Sequence, residues 1–483
     1  MSDEVLLDSW IDGAWRPGPR IADDINPTHP AQPLATVRGA DAAMATEAVG
    51  AARAAAAAWR RLPAPARADL LVATAALLER RAEVIGEDMA REEGKTRAEG
   101  FGEVHGAAAQ FRYAAGRASE PDGATVSARD PGTRMLWSRR EPLGVVVAIT
   151  PWNFPLAIPA WKLAHALATG NTVVWKPAEL TPLTSFHLSR CFEDAGLPAG
   201  VVNMVLGDGL EVGRALVESG DVDGITFTGS TAVGSDIHRR APLRARTQLE
   251  MGGSNPAVVL ADADLDLAAE QIAQGAFLAA GQKCTATARV IVESAVYDEL
   301  CDRLVARATT WTVGDPLHPA TVLGPVASAA QYEGVRRHLA AAPASAVVAG
   351  GVPPELAPGD GYFIAPTVFA GIDPTLPVAC EEVFGPVTSL LRARDPEDAV
   401  RLANASSYGL SASVFSRNID RCLAFAEAAE VGVVKINKAT TGNEIHVPFG
   451  GRKQSGSGSP EMGWTAADFY TEWKTVYVGR GET

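Results

Sequence analysis

Residues 143–149 form an apolar, β-branched run between turn residues, the pattern of a strand buried on both faces. A helical pattern follows at 156–169 and a second apolar run at 172–175. The alternation continues with a helix at 185–195, a strand at 201–206, a helix at 211–219 and a strand at 224–228. Strands and helices alternating at this spacing predict a doubly wound parallel sheet. After Gly253 a second alternation begins, with strands expected at 257–260, 289–293, 387–391, 411–415 and 432–435 and helices between them, which predicts a second α/β domain. Upstream, 41–62 and 65–116 are rich in Ala, Glu and Arg with recurring apolar positions and read as long amphipathic helices. Two alternating stretches, 125–140 and 469–479, have no helical partner. Isolated hairpins are only marginally stable, so these are expected to pair with each other or with another subunit.

Composition narrows the picture. A chain of 483 residues exceeds one ordinary hydrophobic core, so two or three domains are expected. Hydrophobic residues at 47% and charged residues at 21% fit a soluble globular protein. The formal net charge of -14 and the absence of a Lys/Arg block argue against nucleic acid as a partner. Residues 143–161 carry no charge, but Pro151, Pro155 and Pro159 would break a spanning helix, so no membrane segment is expected there. Five cysteines, at 191, 284, 301, 380 and 422, are odd in number and widely spaced, so neither a disulfide framework nor a metal site is predicted. Reduced thiols and an acidic start, Met1 to Glu4, without signal-peptide features predict a cytoplasmic protein.

Candidate chemistry lies in a few short segments. Most free cysteines are small buried hydrophobes, and Cys191, Cys301, Cys380 and Cys422 fit that description. Cys284 differs, because Gly281, Gln282 and Lys283 precede it, a setting suited to a loop or helix start. Backbone N–H groups and a positive helix end there would lower the thiol pKa. Glu250, before Gly252 and Gly253 at a predicted strand end, stands where ligands sit in open α/β sheets. The bland alternative for Glu250 is a surface carboxylate, and for Asn153 an ordinary turn residue. Functionally, Asn153 offers an amide donor for a developing alkoxide. Lys176 and Glu179, after another strand, suit ribose hydroxyls. Phe227 to Gly234 carries a strand into a helix through small residues, including Gly229 and Ser230, and forms a phosphate seat. The usual G-x-G-x-x-G fingerprint is missing.

Seven segments occur together in one order: Pro151–Pro155, Lys176–Glu179, Phe227–Ser230, Leu249–Gly253, Gly281–Cys284, Glu382–Pro386 and Pro448–Gly451. In that order the chain resembles the aldehyde dehydrogenase superfamily over nearly its whole length. The resemblance implies Cys284 as nucleophile, Glu250 as general base, and Asn153 with the Cys284 N–H as oxyanion hole. It implies Lys176 and Glu179 on the adenosine ribose, Gly229 and Ser230 on the pyrophosphate, and Glu382 on the nicotinamide ribose beside Phe384. Trp152 would line the cofactor cleft, and Phe154, Trp161, Asn443 and Phe449 the aldehyde tunnel. NAD is the implied cofactor, with NADP as the alternative, and a homodimer or homotetramer the implied assembly.

The implied architecture divides the chain three ways: a dinucleotide-binding domain at 1–124 and 141–251, a catalytic domain at 252–449, and a small β oligomerisation domain at 125–140 and 464–483. Within the superfamily, Lys435–Glu444 and Asp468–Thr471 are most similar to 2-oxoglutarate semialdehyde (2,5-dioxopentanoate) dehydrogenases. Ser254 departs from the lysine that many relatives carry, and Pro460–Gly463 from the commoner Arg-Glu-Leu-Gly. The reading is an NAD(P)-dependent oxidation of an aldehyde, foremost a semialdehyde, to a free acid. A broad-specificity or aromatic aldehyde dehydrogenase stands as the alternative. A cofactor-free cysteine thioesterase or esterase, or a non-catalytic binding protein on the same fold, stands as the alternative of another class.

Overall fold

The structure is a computed structural model that describes residues 5–351 and 361–480. Its first sheet is built on five parallel strands in the spatial order Arg246–Glu250, Gly224–Thr228, Val145–Ile149, Thr172–Lys176 and Val202–Met204. The chain starts at Val145–Ile149, moves outward through two strands, then returns to add two on the other side. The order therefore reverses between Val145–Ile149 and Gly224–Thr228, and a crevice opens at the carboxyl ends of strands at such a point. The expected doubly wound sheet is borne out, as is the burial of Val145, Val146 and Val147 on both faces.

The N-terminal segment extends this sheet, which the sequence pattern did not predict. Leu6–Ile11 pairs antiparallel with Val202–Met204, and Ala35–Gly39 and Arg20–Asp24 follow outward. Their pattern is illegible for a physical reason: Leu6 and Ile21 face solvent while Ser9 and Asp24 are buried.

Three further expectations are corrected. The span 65–116 is three helices, Ala64–Arg80, Ala82–Glu93 and Arg97–Arg117. Gly94, at φ +93°, ends the second, and Thr96 with Glu99 forms a capping box that starts the third. The helix expected at 211–219 is a π-helical turn, Gly209–Gly213, capped by Asp208 and followed by Arg214–Val217. Phe469 and Tyr470 end a short helix, Ala466–Tyr470, because both rings are buried in the core of the first sheet.

The second sheet runs Val347–Gly351, Ala365–Ala370, Val387–Ala393, Thr287–Glu293, Asn255–Val259, Ser411–Phe415 and Val433–Ile436. All neighbours are parallel except the first pair. Ala365–Ala370 has no counterpart among the predicted strands. The two helix-free stretches do pair: Thr471–Gly479 lies antiparallel to Thr133–Pro142, which also pairs with Gly123–Val126. Arg246 secures this small sheet to the first one by donating to the carbonyls of Asp468, Phe469 and Thr471 at 2.8–3.0 Å.

Phe469, fully buried where the two sheets meet, should act as the anchor of that junction. Phe469→Ala is expected to cost about 3–5 kcal/mol of stability, read as a lowered thermal midpoint by differential scanning fluorimetry. An unchanged midpoint would contradict the anchoring role.

Candidate active site

The crevice at the switch point holds most of the residues singled out above. Val145–Ile149 runs into Thr150, Pro151, Trp152 and Asn153, and Gly224–Thr228 runs into Gly229 and Ser230. Ser230 caps helix Thr231–Arg240, its Oγ accepting from the Val233 N–H at 3.3 Å. A groove of about 350 Å³ runs along these strand ends, with Lys176, Glu179, Trp152, Gly229 and Ser230 among its walls. Lys176 is buried beneath it and donates to Glu179 Oε1 at 2.9 Å, while the Glu179 side chain is half exposed. Trp152, Gly229 and Ser230 also wall an adjoining cavity of about 250 Å³, shared with Asn153, Cys284, Glu382 and Phe384.

Cys284 reaches that cavity from the opposite sheet. It lies in the loop just before Thr287–Glu293, at the amino edge of the second sheet, which faces the carboxyl edge of the first. Three consecutive left-handed residues, Ala279 (φ +56°), Ala280 (φ +52°) and Gly281 (φ +67°), turn the chain into this loop. Alanine pays about 1–2 kcal/mol in that conformation, so the surroundings must hold it. A Cβ at Gly281 would lie 2.0 Å from the Gly385 carbonyl, so only glycine fits. Asn255 then fixes the loop, donating to the Cys284 carbonyl at 2.8 Å. Asn153 Nδ2 donates to the Gln282 carbonyl at 2.8 Å, which ties the two loops together and leaves its second N–H for the cavity.

Of the loop or helix start expected at Cys284 the structure has the loop, and the lowered pKa is absent. Burial pushes the thiol up to about 12, and the nearby Glu382 and Glu250 carboxylates push the same way. A sulfur in a loop under apolar and acidic neighbours has no helix end to stabilise its anion. Glu382 lies behind Gly252, accepting from the Gly253 N–H at 2.9 Å, and burial raises its carboxyl to about 7. A Cβ on Gly252 would sit 2.1 Å from Glu382 Oε2. The Phe384 ring meets the Trp152 ring edge to face at 5.4 Å.

Glu250 ends the strand Arg246–Glu250 and is buried, so the surface-carboxylate alternative is excluded. Its Oε2 accepts from the Gly451 N–H at 3.2 Å. Burial holds its carboxyl well above the usual carboxylate range; Glu461 raises it further and Lys162 lowers it. The sequence reading missed this neighbouring pair. Lys162 Nζ bonds Glu461 Oε1 and also donates to Thr226 Oγ1 at 2.9 Å. Glu461 is positioned by a bridge in which its main chain and that of Phe449 exchange hydrogen bonds at 2.6 and 2.7 Å. The one available signal was a lysine embedded in the apolar helix 156–169, since a fully buried lysine requires a partner.

Of the expected tunnel residues, Trp161 and Phe449 stack at 5.6 Å and share an apolar cluster with Cys284. None of the four lines either cavity, and the Phe154 ring sits 4.7 Å from the Lys95 ammonium.

A thiol, an amide donor and a buried carboxylate thus converge beside a groove at a nucleotide-type switch point. The sequence pattern of the aldehyde dehydrogenase family matches residues 15–476. The chain belongs to the aldehyde dehydrogenase family. It is 42% identical to the alpha-ketoglutaric semialdehyde dehydrogenase of Bacillus subtilis over 97% of both chains. It is 40% identical to the 2,5-dioxopentanoate dehydrogenase of Saccharolobus solfataricus over 99% of both. The crystal structure of betaine aldehyde dehydrogenase from Staphylococcus aureus with NAD+ superposes with a TM-score of 0.94, at 33% identity over 98% of this chain and 94% of the other. This chain is thereby an NAD(P)-dependent aldehyde dehydrogenase, and among its described residues no helix is long and apolar enough to cross a membrane.

The raised thiol pKa gives this dehydrogenase a measurable signature without cofactor. Alkylation of Cys284 by iodoacetamide, followed by mass spectrometry, should accelerate about tenfold per pH unit across the neutral to mildly alkaline range, with no plateau. A plateau reached between about pH 9 and 9.5 would mean an ordinary thiol, and one below about pH 8 an activated thiol.

Proposed function

We propose that this dehydrogenase oxidises the semialdehyde of a dicarboxylic acid, foremost 2-oxoglutarate semialdehyde, to the free acid. The supporting observation is the pair of full-length relatives named for that substrate, at 42% and 40% identity. Lys435–Glu444 carries the same likeness, and Lys435 Nζ fastens that loop by donating to the carbonyls of Thr441 and Gly442.

In the reaction Cys284 releases its proton to solvent and attacks the aldehyde carbon as the thiolate, and the developing alkoxide accepts from the free Asn153 N–H and the Cys284 N–H. Bound NAD(P) supplies the hydride acceptor. Loss of hydride from the thiohemiacetal leaves a thioester on Cys284, and Glu250 takes a proton from the water that hydrolyses it. Lys176 and Glu179 hold the adenosine ribose, Gly229 and Ser230 the pyrophosphate, and Glu382 the nicotinamide ribose, with Trp152 and Phe384 as walls. The groove fits such a ligand: it ends strands at a switch point and opens on a capped helix start, and Gly252 borders the adjoining cavity where a Cβ would meet Glu382. A carboxylate at Glu179 repels a 2′-phosphate and favours NAD over NADP.

Phe154, Trp161, Asn443 and Phe449 would line the aldehyde tunnel, and the apolar cluster that Trp161 and Phe449 share with Cys284 supports this for those two. The sheet containing Thr471–Gly479 exposes Met135, Trp473 and Tyr477, and this surface joins subunits into a homodimer or homotetramer. The dinucleotide-binding, catalytic and oligomerisation units correspond to the three divisions set out above, in a cytoplasmic enzyme.

A kinetic panel of 2-oxoglutarate semialdehyde, succinate semialdehyde and benzaldehyde should give the highest kcat/KM with the first; a preference for benzaldehyde overturns the substrate assignment. Cys284→Ala should abolish NAD(P)H formation. Glu250→Gln should keep a first-turnover burst yet lose about 100-fold or more in steady-state rate, because deacylation loses its base. Loss of the burst along with turnover would place Glu250 elsewhere in the mechanism. Robust acyl-CoA formation on adding coenzyme A would refute the hydrolytic outcome.

A further inference from the structure

Beneath the Asn153 loop lies a cluster of buried charges that the reaction above does not use. Glu93, Lys95 and Glu103 are 0%, 2% and 8% exposed, so each depends on its partners. Lys95 Nζ donates to Glu103 Oε2 at 2.5 Å and to the Asn153 carbonyl at 3.0 Å. The other carboxylate oxygen, Glu103 Oε1, accepts from the N–H groups of Leu156 and Ala157 at 2.9 and 3.0 Å. Asn153 is therefore held from both sides: at its own carbonyl by Lys95, and three residues later by Glu103 at the start of helix Ala157–Ala168.

One turn earlier on the same helix, Glu99 Oε1 accepts from the Ala279 N–H at 2.8 Å, at the first left-handed residue before Cys284. Two carboxylates four residues apart thus face two different loops, one carrying the amide and the other the thiol. The Asn153 to Gln282 bond closes the ring. Of the side chains in the ring only Asn153 lines the cavity, and Glu103 and Lys95 hold the Asn153 side of it, so their effect on chemistry must pass through the placement of that amide.

We propose that Glu103 and Lys95 are positioning residues for the oxyanion site, setting where the Asn153 N–H points relative to the Cys284 sulfur. This rests on the reading of Cys284 as nucleophile and Asn153 as oxyanion donor. A donor misplaced by about 1 Å costs up to about 100-fold, and Glu103→Gln, which keeps the shape and removes the charge, should cost less.

The test compares two reactions of the same sulfur in the full-length protein. Acylation by p-nitrophenyl acetate passes through an oxyanion, whereas alkylation by iodoacetamide displaces iodide from a saturated carbon and forms none. Glu103→Gln is expected to slow acylation of Cys284 and kcat for aldehyde about tenfold, with KM for aldehyde and cofactor within about twofold and alkylation unchanged. Lys95→Met, which removes the bond to the Asn153 carbonyl, should give the same split and serves where the glutamine variant does not fold. Wild-type acylation in both variants, or an equal fall in acylation and alkylation, overturns the proposal. Absence of ester acylation at Cys284 in the wild-type protein would instead overturn the reading of the site beneath it.

Discussion

The 2.8 Å hydrogen bond from Asn153 Nδ2 to the Gln282 carbonyl joins the carboxyl edge of one parallel sheet to the amino edge of another. Both residues are buried, so the bond contributes about 1 kcal/mol net, and leaving either group unpaired would cost about 1–3 kcal/mol. Its larger effect is geometric. The amide rides on the strand Val145–Ile149 and the sulfur on the loop before Thr287–Glu293. The chain itself crosses between the sheets beside this site, through residues 251–254, but the loops that carry the amide and the sulfur meet through side-chain hydrogen bonds. One short side-chain bond therefore sets the separation on which attack at a carbonyl depends.

Burial gives this site its second character. Desolvation raises Cys284 to about 12, Glu382 to about 7 and Glu250 well above its ordinary value, so burial opposes charge on each of these groups. A neutral thiol is a poor nucleophile, which protects it from adventitious oxidation and alkylation. The same low dielectric strengthens the amide donors aimed at a developing alkoxide. An inert ground state and a stabilised transition state thus share one cause. The buried Lys162–Glu461 pair adds a fixed charge distribution close to Glu250 without opening the pocket to water.

How much of this was legible in the sequence varies with how local each signal is. Cys284 stood apart from the other cysteines because its flanking glycine and polar residues differ from the helices that carry Cys191, Cys301 and Cys422. Lys176 and Glu250 end strands, and Asn153 and Ser230 follow strand ends within four residues, so each was readable from its place at the end of a strand. Lys162 was not, since its partner lies 299 residues away and only the return of the chain at Glu461 gives it meaning. Glu99 and Glu103 lay unremarked within the stretch read as long amphipathic helices; they are acceptors for loops that arrive 180 and 53 residues later.

The sequence by itself determined the alternation of strands and helices and the identity of the groups placed at strand ends. Those properties follow from local periodicity and from residues adjacent to strand ends. Tertiary structure alone decided the ionisation of those groups, the pairing of the N-terminal strands, and the frame that fixes the amide against the sulfur. Desolvation and long-range hydrogen bonds depend on which surfaces exclude water from each other, and no stretch of chain carries that information until both sheets are in place.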